Sequence, residues 1–147
     1  MVRVACHCGN VRITLETAPS WVLDCNCSIC RRYGTLWTYP WDGVAKLDLG
    51  AALVQGADAL DVYIWGNRSI GFWRCKTCGC MTHHTALREP AKIRGVNARL
   101  FVNFDPASVT IHRSDDGHTG WFWTRPDGPI RAGLQSPDGP AGPDDWR

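Results

Sequence analysis

Cys25-Asn26-Cys27-Ser28-Ile29-Cys30, followed by Arg31-Arg32-Tyr33-Gly34, places three thiols within six residues. An odd number of neighbouring thiols cannot all pair as disulfides, whereas three sulfurs can hold a metal and leave one position of its shell open. The stretch reads as a loop entering a short turn of helix that Gly34 ends. Everything else in the chain can be placed relative to this knot.

Working outward, Trp21-Val22-Leu23-Asp24 enters the knot and Thr35-Leu36-Trp37-Thr38-Tyr39 leaves it, both strand-like, the second stopped by Pro40 and an Asp42-Gly43 turn. Towards the N-terminus, Val11, Ile13 and Leu15 alternate with Arg12, Thr14 and Glu16, the period-two pattern of a half-buried strand. A tight turn, Cys6-His7-Cys8-Gly9-Asn10, precedes it. Towards the C-terminus, short apolar alternations at residues 44–49 and 60–65 are followed by residues 69–74, which run into a third cysteine group like a hairpin arm. Residues 100–104 and 109–112 are the last strand candidates. No segment sustains a helical period, so the expected class is mainly β, with many short strands and one or two short helices. Residues 1–124 read as one domain and residues 125–147, rich in Pro, Gly and Asp, as a C-terminal tail, extended or disordered, with Trp146 as a candidate anchor.

The 147 residues carry a formal charge of +2 with both signs interspersed, and no basic run or face of the kind that binds nucleic acid. No apolar stretch is long enough to span a membrane, and the first residues lack the apolar core of a secretion signal. A cytoplasmic location is expected, and there the eight cysteines read as metal ligands or reactive groups rather than disulfides.

The cysteines fall into three groups: Cys6/Cys8, Cys25/Cys27/Cys30, and Cys75/Cys78 with Cys80 just beyond. A C-x-C and a C-x-x-C from distant segments supply the four ligands of a structural zinc, and Cys6, Cys8, Cys75 and Cys78 are the expected set. Cys25, Cys27 and Cys30 remain, the three-ligand pattern of a catalytic zinc, unless Cys80 or a histidine completes them as a second structural site. Three thiolates soften the metal's Lewis acidity, which suits a soft thiolate substrate better than water hydrolysis.

C-H-C-G near the start, C-x-C-x-x-C-R after it and a later C-x-x-C-G together resemble the glutathione-dependent formaldehyde-activating (Gfa-like) enzyme family, over roughly residues 2–112. The resemblance implies an Mss4-like β fold with two zincs, Cys6, Cys8, Cys75 and Cys78 on the structural one and Cys25, Cys27 and Cys30 on the catalytic one. It also implies a carbon–sulfur lyase activity that joins glutathione and formaldehyde as S-(hydroxymethyl)glutathione, or reverses that step. The chain departs from the family pattern at Asn26, Arg74 and Cys80, none of which removes a ligand.

Around the knot, Arg31 and Arg32 are candidates for holding the carboxylates of a thiol peptide, because guanidinium offers a bidentate fork. Trp37, Tyr39 and Trp41 are candidates for pocket wall or strand core. His83 and His84, adjacent on a presumed strand, must face opposite sides, so at most one can serve a site. His7 is expected to point away from the sulfurs. The leading expectation is a zinc-dependent lyase acting on a small thiol–aldehyde adduct; the others are a non-catalytic zinc-binding module and a thiol-based redox or metal sensor.

Overall fold

The computed structural model describes residues 2–39, 53–65, 68–114, 122–125 and 128–132. The apolar alternation at 44–49, the turn at 42–43, Trp41, Pro40 and Trp146 lie outside them. The described chain is mainly β, as the period-two runs predict.

A small sheet of β1 (Val2–Ala5), β2 (Arg12–Leu15) and β5 (Leu53–Gln55) packs beside a larger one. The larger sheet contains β3 (Trp21–Cys25), β4 (Trp37–Thr38), β6 (Leu60–Ile64), β7 (Ile70–Cys75), β8 (Met81–Ala86), β9 (Glu89–Asn97), β10 (Thr110–Ser114), β11 (Phe122–Arg125) and β12 (Gly128–Ala132). Its order is β12-β11-β10-β3-β4-β9-β8-β7-β6. All its pairings are antiparallel except β3 with β10. The sheet runs past residue 124: β12 pairs with β11 at the edge, where Pro129, which has no N–H to donate, is tolerated. Residues 133–147 lie outside the described residues.

Register decides which side chains share a face, because successive residues of a strand alternate. Leu23 stands opposite Trp37, and Phe72 opposite His84, which itself faces Gly95. Leu23, Trp37, Phe72, Met81 and Cys30 accordingly pack as one cluster, with Trp21, Cys25, Cys27, Tyr33 and Tyr39 partly buried against it. The opposite face presents Ile93 and Val96, which pack with Val4, Ile13 and Leu15 of the small sheet. One face of the large sheet is thus ordinary core, and the other carries the cysteine knot. Burying the side chains of the shared core contributes roughly 1.5–3 kcal/mol each, which holds the two sheets together.

Two expectations change. Residues 100–104 are not a strand: a 3₁₀ turn occupies Ala98–Leu100, and only Phe101 makes an isolated bridge, to Val4. The cause is Asn97, whose Oδ1 accepts from the N–H of Leu36 (3.2 Å) and of Arg99 (3.2 Å) and thereby caps the turn. Its Nδ2 donates to the carbonyl of Met81 at 2.9 Å, so one buried amide ties β9 to the exit from the knot and to the start of β8. Asn97→Ala leaves three backbone groups without these partners, those of Leu36 and Met81 buried. A loss of about 2–3 kcal/mol is expected, read as a lower urea midpoint with unchanged slope. The second difference is β9, a nine-residue strand that the sequence pattern does not mark; it lies between β4 and β8, and Ile93 and Gly95 to Asn97 are buried in it.

Candidate metal centres

The first cysteine group forms where two hairpins meet. Cys6 follows β1, and the turn closes by Gly9 N–H to the Cys6 carbonyl (2.9 Å) and Cys6 N–H to the Val11 carbonyl (3.0 Å). Cys75 ends β7, and the chain turns back through Gly79, whose N–H donates to the Cys75 carbonyl at 2.9 Å while Cys75 N–H donates to the Cys80 carbonyl at 3.0 Å. Gly79 has φ +73°, a left-handed conformation that a side chain disfavours. The sulfurs of Cys6, Cys8, Cys75 and Cys78 all lie within 4.8 Å of one another. Cys8 Sγ is 3.6 Å from both Cys6 Sγ and Cys75 Sγ. A tetrahedral thiolate shell with metal–sulfur bonds of about 2.3 Å sets its sulfurs about 3.8 Å apart, so the four residues fit a metal. Val11 N–H points at Cys6 Sγ (3.3 Å), a donor that suits an anionic sulfur. His7 is exposed and outside the group, as expected.

The second group is the knot. Cys25 is the last residue of β3, Cys27 lies in the following turn, and Cys30 opens the helix α1 (Cys30–Tyr33). Arg31 N–H bonds the Cys27 carbonyl at 3.1 Å, and Gly34 closes the helix as a left-handed cap. The three sulfurs lie within 4.8 Å of one another, and among the described residues no fourth Cys, His, Asp or Glu joins them. Cys80, the alternative fourth ligand, packs instead with Cys6, Val11, Leu60 and Cys75 beside the first group. All eight cysteines are free thiols.

The knot favours an anionic sulfur at Cys27 and a protonated one at Cys30: hydrogen bonds from the Cys25 and Cys30 thiols lower Cys27 to about 3, while Cys25, Cys27 and burial push Cys30 well up. Protons are shared among three crowded sulfurs, and a cation placed among them would replace those protons. Trp37 Nε1–H donates to Cys30 Sγ at 3.1 Å, fixing that sulfur from below. Trp37 is therefore core, 1% exposed, and not an open pocket wall, yet it touches the site. Tyr39 is partly buried on the same face and stacks on Trp21, with ring centres 6.1 Å apart. Arg31 and Arg32 are exposed on α1, Arg32 donating from Nη1 to the Ser28 carbonyl at 2.8 Å. They lie next to the knot in sequence.

The two histidines do face opposite sides. His83 stacks flat on Trp73 (5.9 Å, 7°) and its Nδ1 meets Thr82 Oγ1 at 2.9 Å. His84 turns to the knot's face, edge-on to Trp37 at 4.7 Å and near Tyr39 and Phe72. Sequence alternation separated them; only the pairing of β4, β9, β8 and β7 shows which one joins Trp37. Burial lowers His83 to about 4 and His84 to about 3. The unfolded chain takes up these protons below about pH 6.5, the folded one only near those lower values. Stability from keeping them neutral is thus complete above pH 6.5 and falls as pH drops towards 4. In urea melts from pH 7 to 5, His83→Gln should remove up to about 1.4 kcal/mol per pH unit of that slope.

No described helix is long and apolar enough to cross a membrane. A crystal structure of a Rhodobacter sphaeroides protein is similar to this chain: 32% identity, TM-score 0.55, covering 71% of this chain and 92% of that one. The family model described as glutathione-dependent formaldehyde-activating enzyme matches residues 1–108, a span that takes in both cysteine groups and the sheet between them. With three-quarters of its length under that model, and an Mss4-like β architecture to match, the chain belongs to the glutathione-dependent formaldehyde-activating enzyme family.

Proposed function

We propose that the protein is a zinc-dependent carbon–sulfur lyase that forms or cleaves a thiol–aldehyde adduct, with glutathione and formaldehyde as the first pair to test. The observation that carries this reading is the three-sulfur knot, which has no fourth protein ligand among the described residues, in a chain of this family. The first cysteine group would hold a structural zinc and the knot a catalytic one.

Bound in the knot, zinc would supply a soft acid that keeps a substrate thiol deprotonated beside the carbonyl carbon. The chain's own residues do the rest. Cys25, at the end of β3, Cys27, in the turn after it, and Cys30, at the start of α1, would hold three of the zinc's positions. Trp37 holds Cys30 Sγ by its indole N–H and, with Leu23, Phe72 and Met81, keeps water from the buried side. Arg31 and Arg32, exposed on α1, would take the carboxylates of a peptide thiol as it docks. Proximity is the main gain, since a thiol and a small aldehyde react readily once held together. In the synthetic direction the S–H bond and the C=O π bond break, C–S and O–H bonds form, and the product is RS–CH2–OH.

The test is exchange NMR on glutathione and formaldehyde with the zinc-loaded protein. Faster interconversion than in the protein-free mixture supports the reading; an unchanged rate at micromolar protein sinks it.

A further inference from the structure

His84 is 7% exposed, and its Nδ1 is buried with no hydrogen-bond partner among the described residues. Leaving a buried imidazole nitrogen unpaired costs roughly 1–3 kcal/mol, so the group calls for an explanation. Gly95 sharpens the question. A Cβ at Gly95 would collide with His84 Nε2, although Gly95 is not among the left-handed glycines of the chain. Glycine inside a strand weakens it and marks a close approach. Here the approach is that of the His84 ring, seated in the space a side chain would fill. The sequence thus accepts two local losses, a strand glycine and an orphan nitrogen, to keep an imidazole at this point.

The surroundings say what the ring is for. It stands on the same face of the sheet as Leu23, Trp37 and Phe72, the cluster that includes Cys30 and against which Cys25 and Cys27 pack. Trp37, which grips Cys30 Sγ, touches the ring edge-on at 4.7 Å. His83, with its nitrogen satisfied by Thr82, faces the other side and has no such role.

We propose that His84 completes the substrate site: its unpaired Nδ1 hydrogen-bonds the oxygen of the aldehyde, or of the hydroxymethyl group it becomes, while the thiol sulfur lies at the knot. This rests on the function proposed above and names the group that holds its second substrate. As the C–S bond forms, the C=O π electrons move onto oxygen, and a neutral ring bearing hydrogen on Nδ1 donates to that developing charge. The proton released by the thiol ends on the same oxygen, so the ring's own proton count is unchanged over a turnover. The ligand class is accordingly a thiol adduct with oxygen on the carbon next to sulfur, or one carbon beyond.

Two readouts test this. The ring nitrogens of zinc-loaded, ¹⁵N-histidine-labelled protein are followed on adding S-(2-hydroxyethyl)glutathione or S-methylglutathione, assigned with His84→Phe. The hydroxyl thioether should move the His84 Nδ1 signal and the methyl thioether should not. Equal or absent shifts with both overturn the proposal, whether or not the protein accelerates adduct exchange; the exchange rate judges the lyase reading separately. In the kinetic arm, His84→Phe should lower kcat about 100-fold with two zincs retained and KM for glutathione within about twofold, since one lost oxyanion donor has that scale. Gly95→Ala, which displaces the ring without removing it, should fall in the same direction, and His83→Gln should keep the wild-type kcat. A zinc content of one in His84→Phe would make His84 a metal ligand and overturn the proposal, as would an unchanged kcat.

Discussion

Cys75→Ser should unfold the protein at 37 °C and leave it unable to hold metal at its first site. Cys75 is 1% exposed, at the end of β7, and its sulfur stands 3.6 Å from Cys8 Sγ, a partner 67 residues away in the chain. The four-sulfur site joins the β1–β2 hairpin of the small sheet to the β7–β8 hairpin of the large one, so a metal held there would close a loop that spans almost half the chain. Structural zinc bound by four thiolates contributes on the order of 10 kcal/mol, against a typical total stability of about 5–15 kcal/mol. Removing one ligand also leaves the other three sulfurs, buried Cys6 among them, crowded without their counter-charge. The expected result is a broad, low-temperature melt by circular dichroism and fewer than two zincs per chain by atomic absorption. A variant that melts within a few degrees of wild type with two zincs would show that the site does not staple the sheets. Cys80→Ser is the matched control: Cys80 packs beside the group without belonging to it, so metal content should stay at two.

Cys27→Ser should do the reverse, abolishing adduct exchange while the fold survives. Cys27 lies in the turn between β3 and α1, half-buried, and no strand pairing depends on its side chain. Its loss leaves two sulfurs, too few for a soft metal to stay bound against water and free thiols. The rate of thiol–formaldehyde exchange should fall at least about 10³-fold, the scale for losing the group that positions and activates a nucleophile. One zinc per chain should remain, and the melting temperature should move by only a few degrees. Two zincs retained with full activity would mean that the knot is not the reacting centre. The pair of variants separates stability from chemistry, since the two sites sit on different elements.

These two residues also mark how far the chain can be read without its fold. Both cysteine groups were legible because metal ligands obey short spacings: C-x-C, C-x-x-C and a three-thiol run bring sulfurs together through local turns, whatever lies around them. The assignment of Cys6 and Cys8 to Cys75 and Cys78 follows from the need for four ligands, and the sulfur positions agree. β2, with Ile13 and Leu15 buried and Arg12 exposed, announces itself by period two; β9, buried at each position from Gly95 to Asn97, does not, and Asn97 turned an apparent strand at 100–104 into a capped 3₁₀ turn.

The sequence by itself determined the local cysteine clusters, the β class and the opposed directions of His83 and His84, because each depends on spacing within a few residues. Only the tertiary structure decided that Cys80 stands with the first group, that Trp37 is a buried donor to Cys30 Sγ, and that His84 shares the knot's face with an unpaired nitrogen. Those facts depend on the order and register of β3, β4, β9, β8 and β7, pairings between residues up to about 60 positions apart. A shift of one residue in the β4–β9 or β9–β8 pairing would turn His83 towards Trp37 in place of His84, and no local pattern in the chain encodes that choice.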